Sequence, residues 1–178
     1  MKASLSLLLV LFLSISTPVC AQLVKWDAKK QLVWSDFTGK FDKADHFDSY
    51  TLTNVNYTYH WRKGDKLLSY EFKIETSFIK DSSWVRKSDR SATLLKHEQL
   101  HFDIAELHAR KLMLAFNTKV YTANYEQEIK DIYTQVMKNA REMQAKYDVE
   151  TDHSKNKAAQ AQWETYMKNE LSKLPPNY

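Results

Sequence analysis

The sequence is poor in the residues that cross-link a chain or divide it into separate units. It has one cysteine, Cys20, only two glycines, and no proline between Gln22 and Leu174. A single cysteine excludes an internal disulfide. Without clusters of proline or glycine, nothing in the central stretch is typical of an interdomain linker. We therefore expect one domain over residues 22–178, long enough to bury a substantial core.

Long hydrophobic runs are missing, apart from one at the N-terminus. A short apolar run follows Lys2, and Val19 and Ala21 occupy the positions that signal peptidase recognises. This pattern predicts a signal peptide over residues 1–21, which would take Cys20 with it, and export to the periplasm or the extracellular space. No later stretch approaches the roughly 20 apolar residues of a transmembrane helix, so no membrane span is expected.

A strong charge of one sign is also missing. The formal net charge of the chain is +4 at pH 7, and its basic residues are dispersed rather than gathered in one patch. Proteins that bind nucleic acid usually concentrate positive charge on one face. We therefore expect no nucleic-acid partner, and the sequence leaves the oligomeric state open.

The first half of the chain has the period of β-strands. Apolar and polar residues alternate over 55–61 and again over 68–78, and the Gly64-Asp65 pair between them is typical of a turn. This pattern predicts a β-hairpin. Two shorter stretches, around Trp26 and Trp34, could add one or two strands, which would give an antiparallel sheet of three or four strands.

The second half of the chain has the period of α-helices. Apolar residues recur at helical spacing and predict helices over about 91–116, 122–146 and 155–173. Strands that precede helices, without alternation between the two, indicate the α+β class. We expect an N-terminal antiparallel sheet followed by three helices.

The first predicted helix contains the pattern HExxH at His97, Glu98 and His101. Residues four apart lie on one face of a helix, with Cβ atoms about 5–6 Å apart. Two imidazoles at this spacing can bind one zinc ion, while the intervening glutamate stands beside the ion as a general base for a bound water. We therefore predict that His97 and His101 bind Zn²⁺ and that Glu98 is catalytic.

The third zinc ligand must come from another part of the chain. His108 shares the helix face of the motif, but seven residues beyond His101 it lies about 10.5 Å further along the axis. His153 falls in the predicted break between the second and third helices, where it could fold back onto the motif. We favour His153 as the third ligand. Three carboxylates remain as alternatives: Glu150, Asp152 and Glu164.

Two further features of the helices have sequence-based interpretations. Tyr147 precedes the predicted break, so its phenol could stabilise the oxyanion of a tetrahedral intermediate; otherwise it ends the apolar stripe of its helix. Glu106 and Arg110 are four residues apart, and the simplest interpretation is a surface ion pair worth about 0.2–0.5 kcal/mol.

Four stretches, taken together, resemble a bacterial family of predicted secreted zinc-dependent proteases, otherwise known as domain of unknown function 922. They are LVWSDFTG, SSWV, LLKHEQLHFDIAELHAR and YDVETDHSKNKAAQAQW, in that order along the chain. The resemblance implies a zincin-like metal site with His97 and His101 as ligands and Glu98 as the acid/base, and it supports His153 as the third ligand. In one respect the chain departs from the family pattern, because Ser154 stands where the pattern has a glycine, which would more easily adopt a left-handed turn.

These observations predict an exported, single-domain, zincin-like metallohydrolase over residues 22–178 that hydrolyses peptide bonds in a peptide or protein substrate. Water activated by Glu98 would attack a carbonyl polarised by zinc. Two alternatives stay open on the sequence alone. One is a zinc amidase that acts on the cell wall, and the other is a metal-binding module without catalysis.

Overall fold

The computed structural model describes residues 22–41, 44, 46–63, 68–174 and 176. The predicted signal peptide, residues 1–21, and the predicted turn at Gly64-Asp65 lie outside these residues. The described residues form five strands, β1 (Leu23–Lys25), β2 (Ser49–Tyr50), β3 (Thr53–Lys63), β4 (Leu68–Ile79) and β5 (Trp84–Val85), and three α-helices, α1 (Ala92–Thr118), α2 (Tyr125–Thr151) and α3 (Lys157–Lys173).

The predicted hairpin is confirmed as the main part of the sheet. β3 and β4 pair antiparallel along their whole length, and β1 pairs with the other edge of β4, so the strand order is β1-β4-β3. Tyr57 lies opposite Ile74 and Tyr59 opposite Phe72, and these side chains pack with Phe116 of α1. The α+β class and the antiparallel sheet that precedes three helices are as predicted.

The predicted strand around Trp34 is wrong. Residues Trp34–Asp36 form a short 3-10 helix, because an Asp36 carboxylate oxygen accepts a hydrogen bond from the Val33 backbone N–H at 3.0 Å and closes the turn locally. Asp36 also pairs with Lys80 at 3.2 Å. A separate two-stranded ladder is instead formed by β2 and β5.

The second helix ends later than predicted, and this change affects the site. α2 continues to Thr151, since nothing in the stretch before it breaks a helix. The chain then leaves the helix through three consecutive residues in the left-handed region, Asp152 (φ 46°), His153 (φ 48°) and Ser154 (φ 78°). Asp148 therefore lies on the last turns of α2 rather than in a loop.

α1 is the central element of the fold. On one side its residues Leu112 and Phe116 pack against the sheet and α2. On the other side its residues Ile104 and Leu107 pack with residues of α2 and α3, including Trp163. Because α1 is covered on several sides, polar side chains on it are buried as well. None of the helices in the described part of the chain combines the length and the apolar character needed to cross a bilayer.

Glu106 and Arg110 form a buried ion pair, not the surface pair that the sequence suggested. The exposed fractions of the two residues are 0% and 6%, and Arg110 Nε lies 2.8 Å from Glu106 Oε1. The guanidinium also donates to the carbonyl oxygens of Leu171 and Leu174 at 2.8 and 2.6 Å. Arg110 therefore binds the end of α3, where carbonyl groups lack partners within the helix.

Candidate metal centre

Three side chains from α1 and α2 converge at one point. The Nε2 atoms of His97 and His101 are 3.1 Å apart. Oδ1 of Asp148 lies 3.2 Å from His97 Nε2 and 2.9 Å from His101 Nε2. The two histidines are four residues apart on one helix face, and α2 packs across that face with Asp148 towards them. The sequence-based pairing of His97 with His101 thus corresponds to a close contact in the structure.

The donor set and its spacing fit a zinc ion. Ligand atoms about 2.0–2.1 Å from a tetrahedral ion lie roughly 3.3 Å from one another, close to the three separations in this cluster. Two imidazoles and a carboxylate are donors that zinc binds in proteins. Among the described residues, His97, His101 and Asp148 form the group of potential ligands whose atoms all lie within 4.8 Å of one another.

Two glutamines set the orientation of the imidazoles. Gln144 Oε1 lies 2.5 Å from His101 Nδ1, and Gln160 Oε1 lies 3.3 Å from His97 Nδ1. The amide nitrogens are used elsewhere, since Gln144 Nε2 donates to the His101 carbonyl and Gln160 Nε2 donates to Glu164. Both oxygens therefore face the rings as acceptors, which assigns the ring proton to Nδ1 and leaves Nε2 with a lone pair.

This assignment produces a cluster of acceptors without a donor. The two Nε2 lone pairs and the carboxylate of Asp148 face one another at 2.9–3.2 Å. Three acceptors at hydrogen-bonding distance repel one another unless a cation or a proton lies between them. The arrangement can therefore hold a metal ion.

The electrostatics of the cluster follow from the same convergence. Burial by itself would raise the pKa of Asp148. When protons rather than a cation fill the cluster, hydrogen bonds from His101 and His97 outweigh burial and hold this pKa well below its usual range. Burial would lower the pKa of His101, but the hydrogen bond to Asp148 and the charge of Glu98 outweigh it and raise this pKa. Asp148 is therefore an anion that attracts positive charge.

The sequence favoured His153 as the third ligand. His153 lies beside the cluster, with Nδ1 3.6 Å from Asp148 Oδ1, but outside the group of three. Glu150 accepts from the Trp163 indole at 2.8 Å, Glu164 accepts from Gln160, and Asp152 is exposed in the left-handed turn. The structure thus brings Asp148, which the sequence had not singled out, against the two histidines. The spacing of Gln144 and Asp148, four apart on one helix face like His97 and His101, was the available indication.

Tyr147 does not face the cleft, which is at odds with the predicted contact between its phenol and a substrate oxyanion. The residue is 0% exposed. Its ring stacks on His97, with centroids 4.5 Å apart, and meets His101 edge-on at 5.0 Å. The hydroxyl donates to Gln160 Oε1 at 2.7 Å. Burial raises its pKa well above the usual value. Tyr147 therefore supports the two imidazoles from behind.

Glu98 lines a cleft that opens onto the cluster. The cleft has a volume of about 370 Å³, and its walls include residues 46–53 on one side and His101, Asp148 and His153 on the other. Glu98 itself is largely buried, and the hydroxyl of Ser49 donates to its Oε1 at 2.6 Å. The carboxylate is thus held in one orientation.

The SSWV stretch supports this wall of the cleft. Ser49 belongs to β2, which pairs with Trp84 and Val85 of β5. The Ser83 hydroxyl accepts from the Leu52 backbone N–H at 2.9 Å and donates to the Ile79 carbonyl. These residues are therefore structural, and their contribution to the site is to position Ser49.

His108 is separate from the cluster, as the helix geometry predicted. Its side chain is buried, and its Nδ1 donates to the Ile104 carbonyl at 2.8 Å, one turn earlier on α1. Burial lowers the pKa of the ring. His108 is therefore a packed, neutral histidine with an internal partner.

Comparison with known families gives one match. The family described as "Bacterial protein of unknown function (DUF922)" matches residues 25–155. The match includes the cluster of His97, His101 and Asp148 together with Glu98, whereas Gln160 lies beyond it. No curated protein and no solved structure matches the chain. Because the family match spans most of the sequence, the chain belongs to the DUF922 family.

Proposed function

We propose that this chain is a zinc-dependent peptidase of the zincin-like kind. The observation that carries the proposal is the convergence of three acceptor atoms from His97, His101 and Asp148 at 2.9–3.2 Å, next to the buried carboxylate of Glu98 in the same cleft. The first three residues would hold the ion, and Glu98 would carry protons.

A zinc ion supplies Lewis acidity, which polarises a carbonyl group and makes a water molecule more acidic. Glu98 would take a proton from the attacking water and pass it to the leaving amine. Ser49 contributes by holding the carboxylate of Glu98 in place through its 2.6 Å hydrogen bond. The glutamines behind His97 and His101 contact the Nδ1 atoms and would leave the Nε2 atoms available to hold the ion.

The form of the cleft favours a peptide as the substrate. One wall consists of consecutive residues, 46–53, which include the short strand β2. An extended wall of this kind can bind an extended peptide through backbone hydrogen bonds. The exposed aromatic side chains of Phe47 and Tyr50 on this wall offer apolar contacts to substrate side chains. Export, proposed from the N-terminal sequence, would give the enzyme substrates outside the cytoplasm.

A comparison of two glutamate variants tests the proposal. Glu98→Gln keeps the size of the side chain but removes the proton carrier, so we expect zinc content and melting temperature to stay at wild-type values while hydrolysis falls by several orders of magnitude. Glu142→Gln, on the exposed face of α2, is the matched control and should retain full activity. Zinc is measured by elemental analysis, and hydrolysis is measured on labelled casein and on purified peptidoglycan.

Each outcome of this experiment distinguishes one function from another. Cleavage of casein, lost in Glu98→Gln, supports the peptidase. Cleavage of peptidoglycan alone indicates the cell-wall amidase. Stoichiometric zinc without hydrolysis of either substrate favours a metal-binding module. Loss of zinc in Glu98→Gln would contradict the role of Glu98 as a proton carrier that does not bind the ion.

A further inference from the structure

We infer that His153 contacts the substrate: its ring N–H binds the oxygen that gains negative charge during the reaction, and the residue does not bind the metal. This inference rests on the metal site and the hydrolytic function proposed above. It gives His153 a role that differs both from the ligand role suggested by the sequence and from the supporting role of Tyr147.

The position of His153 differs from that of the ligands. His97 is 2% exposed and His101 14%, whereas the His153 side chain is 47% exposed and lines the cleft. Its Nδ1 is 3.6 Å from Asp148 Oδ1, so the ring stands next to the cluster without joining it. The ring of Phe47, from the opposite wall, packs on it with centroids 5.3 Å apart. His153 thus borders the space that a substrate would occupy.

The backbone holds His153 in this position at some energetic cost. Asp152, His153 and Ser154 all have positive φ, a conformation that is uncommon for residues other than glycine and that Asp and His adopt more readily than Ser. Hydrogen bonds from His153 N to Asp148 O and from Asn156 N to Thr151 O close the turn. Because the turn directly follows the helix that carries Asp148, it fixes His153 relative to the metal cluster. Backbone strain of this kind occurs preferentially at functional sites.

Two other donors that line the cleft already have acceptors within the protein. Ser49 donates to Glu98, and Gln144 donates to the His101 carbonyl. Tyr147 is buried behind the imidazoles. His153 is 3.6 Å from Asp148, too far for a good hydrogen bond, so it retains a ring N–H for a substrate. A fixed donor beside the reacting carbonyl stabilises the charge that develops in the transition state.

The test uses protein loaded with Co²⁺, whose visible spectrum reports on its ligands, and inorganic phosphate as a tetrahedral oxyanion. Wild type should bind both. In His153→Leu, Co²⁺ affinity should stay within about threefold, whereas phosphate affinity should fall about tenfold or more, which is the effect of losing one hydrogen bond to a charged group. His153→Gln, which keeps an N–H donor, should retain part of the phosphate affinity. His60→Leu, at an exposed histidine of β3 outside the cleft, is the matched control and should bind phosphate like wild type.

Four results would overturn the inference. If His153→Leu binds phosphate as tightly as wild type does, His153 does not bind an oxyanion. The same conclusion follows if wild type binds no phosphate. If Co²⁺ affinity falls by more than about 100-fold in both His153 variants while their melting temperatures stay unchanged, His153 is a ligand. Loss of a residue that only hydrogen-bonds to a ligand costs about 10 to 100-fold. Failure of wild type to bind Co²⁺ or zinc contradicts the proposed function itself, and the inference with it.

Discussion

Helix α1 carries two buried polar clusters that differ in how their hydrogen bonds are completed. Around Glu106 and Arg110, charge meets opposite charge, and the guanidinium donates to carbonyls at the end of α3. Around His97 and His101, the two Nε2 atoms face each other as acceptors, and the Asp148 carboxylate adds a third acceptor. The first cluster pairs its charges within the protein, while the second needs a cation or a proton between its members. Burial alone does not distinguish a structural cluster from a functional one; the way in which charges and acceptors are paired does.

Deleting a ligand gives the largest effect that we expect. His97→Ala should abolish zinc binding, and Asp148→Ala should weaken it by more than the roughly 10 to 100-fold that loss of an outer hydrogen-bond partner costs. Competition with a chelator of known affinity measures both. Asp131→Ala, on the exposed face of α2, is the control. Wild-type affinity in Asp148→Ala would show that the third ligand is another residue.

Breaking the ion pair of Glu106 and Arg110 should affect stability rather than metal binding. Arg110→Ala leaves the Glu106 charge buried without the guanidinium and should lower the free energy of unfolding by about 3–5 kcal/mol, as measured by urea denaturation. The exposed pair of Lys138 and Glu142 is the comparison, and Lys138→Ala should change stability by less than about 1 kcal/mol. Equal effects of the two variants would mean that the burial of Arg110 contributes nothing.

The glutamines behind the histidines should have an intermediate effect. Gln144→Leu and Gln160→Leu each remove the acceptor that orients an imidazole, so zinc affinity should fall by about 10 to 100-fold while hydrolysis at saturating zinc is partly retained. Gln135→Leu, on the exposed surface of the same helix as Gln144, should keep wild-type affinity. Unchanged affinity in both test variants would contradict their role in orienting the rings.

The smallest effect concerns pH and the neutral His108. Burial lowers its pKa in the folded protein below the usual value of 6.5, so the unfolded chain takes up this proton first. The stabilising contribution is therefore fully present above about pH 6.5 and is lost as pH falls through the folded pKa. His108→Gln should make the free energy of unfolding less dependent on pH between 7.5 and 5 than in wild type, as measured by urea denaturation. The same pH dependence in both proteins would contradict this assignment.

Local sequence patterns predicted most of the fold. The alternation over 55–61 and 68–78 indicated the hairpin, since period-two burial is a property of each strand by itself. The helices followed from their apolar stripes for the same reason. The strand predicted around Trp34 was wrong, because a hydrogen bond from one backbone N–H to Asp36 decides the turn there. The predicted end of α2 was too early, because no proline or glycine marks where this helix ends. Boundaries of this kind depend on single contacts rather than on a repeated pattern.

The sequence by itself determined that His97 and His101 share a helix face with Glu98 beside them, because that relation needs only the pitch of one helix. The tertiary structure decided which residue of α2 lies against them, and that residue is Asp148, while His153, which the sequence favoured as the third ligand, lies beside the cluster. It also decided that Tyr147 lies behind the imidazoles, that Gln160 of α3 orients one of them, and that the Glu106–Arg110 pair is buried. These outcomes depend on how three helices pack together, and the position and rotation of one helix against another are set by side-chain contacts between distant parts of the chain.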